Sequence, residues 1–186
     1  MEGRLATVLW RDRLSGALER CVLERVDSGF RLAGTALLAA DGVPVEVRYA
    51  VLTDARWFTR EVAVRVVDAD GLLLAMEGGS WWRDRASVPQ LDGCVDVDLG
   101  FTPATNTLPI NRLDLAVGGE RELTAAWLQA PSLELRPLHQ RYERLDERTY
   151  RYRSGDFTAR LEVDHLGLVR DYEGHWELVA ERYAAP

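Results

Sequence analysis

Lysine is missing from this chain: all 23 basic residues among its 186 are arginine. The bias reads as genome composition, but it has a chemical consequence. No Schiff-base lysine, lysine general base or phosphate-loop lysine can operate here. Cysteine is scarce, with Cys21 and Cys94 far apart and no CxxC pair, which argues against a disulfide-built miniprotein. No stretch approaches the ~18 consecutive apolar residues of a membrane-spanning helix. The start, through Met1, Glu2, Arg4, Trp10, Arg11, Asp12 and Arg13, holds no apolar secretory core. These absences lead us to expect a cytoplasmic protein with two free thiols, Cys94 buried in an apolar segment. A net charge of −7 and a pI near 5.1 give no bulk attraction to nucleic acid or an anionic membrane, though a local basic patch is compatible with them.

What is present is ordinary globular material, 47% hydrophobic and 28% charged. A chain of this length buries roughly 70% of its unfolded surface. No Pro/Ser-rich linker divides it, so a single domain over 1–186 is expected. The apolar period is two almost everywhere. Val43, Val45, Val47, Tyr49 and Val51 alternate with Pro44, Glu46, Arg48, Ala50 and Leu52, and Phe157, Ala159, Leu161 and Val163 alternate with Thr158, Arg160, Glu162 and Asp164. Asp41-Gly42, Asp70-Gly71, Gly78-Gly79, Gly118-Gly119 and Ser154-Gly155 read as hairpin signals. The expected fold is all-β and mainly antiparallel, a dozen or more strands whose exposed edges are managed by closure into a barrel or by sharp curvature. Short helical or irregular stretches are expected at 11–18, near Pro89 and over Pro103–Pro109. Residues 43–82 and 138–177 hint at an internal duplication, since Val67-Asp68 with Gly71-Leu72 parallels Val163-Asp164 with Gly167-Leu168. Recurrent strand–Asp-x-x-Gly–strand hairpins would look the same.

The segment LDGCVDVDLGFTPATNTLPINRL, residues 91–113, concentrates the polar chemistry. Strand alternation places Asp96 and Asp98 on one face and Val95, Val97 and Leu99 on the other. Two carboxylates roughly 6.5–7 Å apart along a strand suit general acid/base work, a hard metal ion or an ordinary solvated face paired to arginine. Thr102, Thr105, Asn106 and Thr107 between prolines make a rigid stretch of neutral hydrogen-bonding groups. Such groups fit sugar hydroxyls or polar lipid heads, or simply brace the sheet. Arg112 could hold an anionic group or pair with Asp96 or Asp98. Trp81-Trp82 should send one ring inward and one outward, with the Gly78-Gly79 approach giving Trp81 room beside a ligand; Trp57, Trp127 and Trp176 read as core. His139, His165 and His175 form no metal-binding pattern, and GxSxG, GxGxxG and phosphate-loop motifs are missing. No cofactor is therefore expected.

Residues Leu91–Leu99, then Thr102-Pro103 and Thr105–Ile110, closely resemble the bacterial putative glycolipid-binding family. Gly79-Ser80-Trp81, Gln140-Arg141-Tyr142, Val163-Asp164, Gly167-Leu168-Val169 and Asp171-Tyr172 agree with it. Asn111 departs, standing where the family usually has an arginine before the one that Arg112 matches. The resemblance implies a curved, partly open antiparallel barrel similar to lipoprotein localisation factors, and a glycolipid ligand by analogy of fold. The expected function is non-catalytic binding of an amphiphile, its head selected by Trp81, Asp96, Asp98, Thr105, Asn106, Arg112 and Tyr142. Two alternatives stay open: an enzyme acting on a carbohydrate or polar metabolite through Asp96 or Asp98, and a structural or protein-interaction module.

Overall fold

The computed structural model describes residues 3–69 and 71–184. Fifteen strands dominate them. The first half holds β1 (Gly3–Asp12), β2 (Leu18–Val26), β3 (Gly29–Ala40), β4 (Val43–Asp54), β5 (Thr59–Val66), β6 (Gly71–Glu77), β7 (Ser80–Arg83) and β8 (Ala86–Ser87). After a connector come β9 (Asp96–Leu99), helix α1 (Thr107–Leu113), β10 (Glu120–Leu128), β11 (Leu135–Arg144), β12 (Thr149–Ser154), β13 (Phe157–Val163), β14 (Val169–Tyr172) and β15 (Trp176–Tyr183).

All fifteen join one sheet in the order β8-β7-β6-β5-β4-β3-β2-β1-β15-β14-β13-β12-β11-β10-β9. Every neighbouring pair is antiparallel except β9 and β10, which run parallel with Asp96 beside Ala125 and Asp98 beside Trp127. The sheet does not close: β8 and β9 are its two edges. It nevertheless curls, because β9 comes into contact with β5 from across the concave side. The mostly antiparallel all-β architecture read from the apolar period is present, curled but not closed into a barrel.

Local sequence explains most of the corners. Asp41 and Gly42 have φ of 52° and 78°, and Gly78 and Gly79 have 59° and 87°. Paired positive φ makes a two-residue turn whose twist matches antiparallel strands. Gly155 turns β12 into β13, whereas Gly118-Gly119 is no hairpin and instead leads from α1 into β10. Asp70 lies outside the described residues. Residues 11–18 are not helical either. Asp12 accepts hydrogen bonds from the Leu14 N–H at 2.9 Å and the Ser15 hydroxyl at 2.8 Å, and its short polar side chain thereby fixes a turn in competition with a helix. The proline-rich stretches form single 3₁₀ turns at 89–91 and 104–106, the second running into α1.

The concave face is filled by the connector. Val8 and Trp10 of β1, Cys21 and Leu23 of β2, Val47 and Val51 of β4 and Leu74 of β6 pack with Leu91, Cys94, Val97, Leu99, Phe101 and Leu108 in one apolar cluster. A second cluster under the other half joins Ile110 and Leu115 to Tyr142, Tyr150, Leu161 and Val169. Chain segment 88–113 thus lies inside the cup as a plug.

Candidate functional site

The plug is pinned by polar contacts that draw on most of the residues singled out from sequence. Alternation along β9 holds: Val97 and Leu99 enter the apolar cluster while Asp96 and Asp98 meet polar partners. Asp96 is 1% exposed and receives both arms of Arg112, Nε to Oδ1 at 3.0 Å and Nη2 to Oδ2 at 2.6 Å. Burial pushes the Asp96 carboxyl above its ordinary range, and the hydrogen bonds and charge of Arg112 pull against that rise. The Arg112 guanidinium also lies over the Phe58 ring, 5.4 Å from its centroid. The Thr105 hydroxyl accepts from the Leu99 N–H at 3.1 Å, and the Asn106 amide donates to the Tyr142 hydroxyl at 2.8 Å. Trp81 is fully buried and donates to the Cys94 carbonyl at 2.9 Å, while Trp82 faces outward. The inward-outward split expected of the pair is therefore present.

Asp98 has a different environment. It is half-buried and accepts a hydrogen bond from the Gln140 amide at 2.5 Å. Burial pushes its carboxyl up to about 6, with the Gln140 bond opposing. Beside it opens a cavity of about 350 Å³. Asp98, Thr102 and Asn106 supply polar wall, together with Gly100. Trp127 of β10, Tyr152 of β12, Phe157 of β13, Tyr172 of β14 and Trp176 of β15 supply aromatic wall. The rings of Tyr152 and Tyr172 meet edge to face at 6.2 Å, and Tyr152 and Phe157 at 6.0 Å. Burial holds the Tyr152 and Tyr172 phenols above their ordinary range, and the Asp98 charge adds to the rise, so both stay neutral hydroxyls.

Of the seven residues read from sequence, the cavity wall brings together Asp98 and Asn106. Trp81, Asp96, Thr105, Arg112 and Tyr142 stand outside the wall. The aromatic lining escapes sequence reasoning, which assigns Trp127 and Trp176 to core. The available signal is the phase of Tyr152, Phe157 and Tyr172 on successive strands, legible only once their pairing is known. Gly100 belongs to the same construction. A Cβ on it would stand 2.4 Å from Trp127 Nε1, so this indole lies where only glycine leaves space.

A second carboxylate also escapes. Glu19 of β2 is wholly buried and accepts a hydrogen bond from the Tyr49 hydroxyl. Burial pushes it up to about 7. Thr102 and Tyr49 favour the charged form against that rise, and Oε2 is left without a hydrogen-bond partner. The sequence does carry a signal: Glu19 is in phase with Cys21 and Leu23, the inward positions of its strand. Among the described residues no His/Cys/Asp/Glu cluster could hold a metal ion, and no helix is long and apolar enough to cross a membrane.

A family model described as putative glycolipid-binding matches residues 7–177. Among solved structures, a DUF1089 family protein from Pseudomonas aeruginosa is 35% identical. The match covers 90% of this chain and 94% of that one, with a TM-score of 0.79. No curated protein matches the chain.

Proposed function

The chain belongs to the putative glycolipid-binding family, and from that premise we propose that it binds the head group of a glycolipid, without catalysis, in the aromatic cavity beside Asp98. One observation carries the reading: a carboxylate and a carboxamide, Asp98 and Asn106, are set in a wall of five aromatic rings. A sugar ring has apolar faces that stack on aromatic side chains and equatorial hydroxyls that need directed acceptors and donors. Asp98 accepts and Asn106 offers both functions. A cavity of about 350 Å³ is near the small end of ligand sites, which suits a head group. The rest of the concave face is filled by the plug, so the acyl tail leaves past Phe157, which is 38% exposed.

In this reading Asp98 and Asn106 touch the ligand. Arg112, Asp96, Thr105, Tyr142 and Trp81 hold the plug that presents them. Asp98 is the one carboxylate on the cavity wall among the described residues, whereas glycoside hydrolysis ordinarily uses a facing pair; this favours binding over turnover. We place the protein in the cytoplasm, a reading supported by two free thiols.

Native mass spectrometry of protein purified from its own host tests the proposal. A lipid-sized adduct that is lost in Trp127→Leu is expected. Repeated preparations free of any adduct, or an adduct indifferent to Trp127→Leu, would overturn it.

A further inference from the structure

Asp96 and Asp98 stand two residues apart on one strand, yet a cation is supplied to only one of them. Arg112 turns Nε and Nη2 to Asp96. Among the described residues no arginine pairs with Asp98, whose hydrogen-bond partner is the neutral Gln140 amide. A half-buried carboxylate facing a cavity without a countercharge is costly when the cavity holds only neutral groups.

The surroundings favour a positive visitor. The faces of aromatic rings are negative and attract ammonium groups, most strongly where water is excluded. Tyr152, Phe157 and Tyr172 lie within 6.0–6.2 Å of one another, and Trp127 and Trp176 extend the same lining. The other groups around Asp98 bring no fixed positive charge. Tyr142, Tyr152 and Tyr172 are neutral phenols that feel its charge. His175, the remaining titratable wall residue, packs its ring on Phe157 and Tyr172 at 5.3 and 5.4 Å rather than bonding to Asp98.

We infer that the cavity takes a head group bearing an ammonium nitrogen, as in a sugar with a free amine, with Asp98 as its counterion and the aromatic wall as its cage. The inference rests on the head-group reading of this cavity and adds the charge of the ligand.

Calorimetric titration at pH 7 with four octyl compounds below their micelle-forming concentrations separates the two claims: the glucoside, the glucosaminide with its free amine, its N-acetyl form and octyltrimethylammonium. The free-amine glycoside should bind about tenfold tighter than the other two glycosides. Asp98→Asn should abolish that difference, the free-amine glycoside falling to the affinity of the other two in the same variant. Phe157→Leu, which leaves the carboxylate intact, should weaken the free-amine glycoside about threefold, and it keeps the inference testable if Asp98→Asn does not fold. Equal affinities for the three glycosides in the wild type, or a preference that survives Asp98→Asn, would overturn the ammonium assignment alone. Tight binding of octyltrimethylammonium with no preference for sugar would uphold the charge and overturn the sugar. Failure of all four to bind would overturn both.

Discussion

Arg112 closes on Asp96 with two parallel hydrogen bonds, tying the end of α1 back to β9 across sixteen residues of plug. Both partners are largely withdrawn from water, with side chains 11% and 1% exposed. Such a pair specifies where the plug sits more than it adds net stability, because desolvating two charges offsets most of their attraction.

Removing one partner is another matter. Arg112→Ala leaves the Asp96 charge buried and uncompensated, and should cost about 3–5 kcal/mol. Urea unfolding followed by tryptophan emission measures it. The double variant Asp96→Leu/Arg112→Met should recover much of the loss; a double variant as unstable as Arg112→Ala would refute the burial argument.

Gly100 and Trp127 give a test inside the cavity. Gly100→Ala forces a methyl toward Trp127 Nε1, where the gap is 2.4 Å. Overpacking of this kind costs about 1–3 kcal/mol and displaces the indole. A shifted tryptophan emission maximum and weaker binding of octyl glucoside are expected together. Unchanged emission and affinity would mean that the indole is not held against this glycine.

Glu19 makes stability depend on pH. Its pKa is raised from 4.5 to about 7 by burial, so between those values the folded chain holds a proton that the unfolded chain has released. This group's contribution is therefore complete below about pH 4.5 and is lost as pH rises through about 7. Asp98, raised from 3.8 to about 6, acts in the same direction over a lower window. Glu19→Gln should gain on the wild type as pH rises from 5 to 8, by up to about 3 kcal/mol. Urea midpoints that run parallel across that range would contradict it.

The thiols provide a simpler check. Cys21 and Cys94 are both buried, and burial raises both thiols, Cys94 to about 11. Neither should react with a thiol-labelling disulfide reagent at pH 8 in the folded protein, and both should react in urea. Rapid labelling of native protein would contradict the packing of the plug around Cys94.

The sheet is legible in the sequence because its signals are local. Alternation such as Val43 to Val51 fixes which side chains share a face, and pairs such as Asp41-Gly42 fix where the chain reverses. Alternation also places Asp96 and Asp98 together, and Trp81 opposite Trp82. It does not say what covers a face. That β9 lies parallel to β10 and in contact with β5 depends on a long-range closure with no local signature, so a stretch that reads as head-selecting is in large part a pinned plug. The same limit hides the aromatic wall: Trp127, Tyr152, Phe157, Tyr172 and Trp176 lie on five strands, and each alone looks like core. Glu19 is hidden differently, a charge between Leu18 and Arg20 whose inward phase is outweighed by its type. As for duplication, Arg48-Tyr49 would pair with Arg141-Tyr142 upstream of those turns, yet one strand, β5, separates Tyr49 from the turn at Val67, where two, β12 and β13, separate Tyr142 from the turn after Val163. Any common origin of 43–82 and 138–177 has to accommodate that extra strand.

The most direct measurement is a crystal structure of the protein with octyl glucosaminide. A sugar ring is expected against Trp127 and Tyr172, its amine within hydrogen-bond reach of Asp98 and its hydroxyls near Asn106. An ordered glycoside bound at another surface, with this cavity holding only water, would contradict the assignment of the cavity as the head-group site.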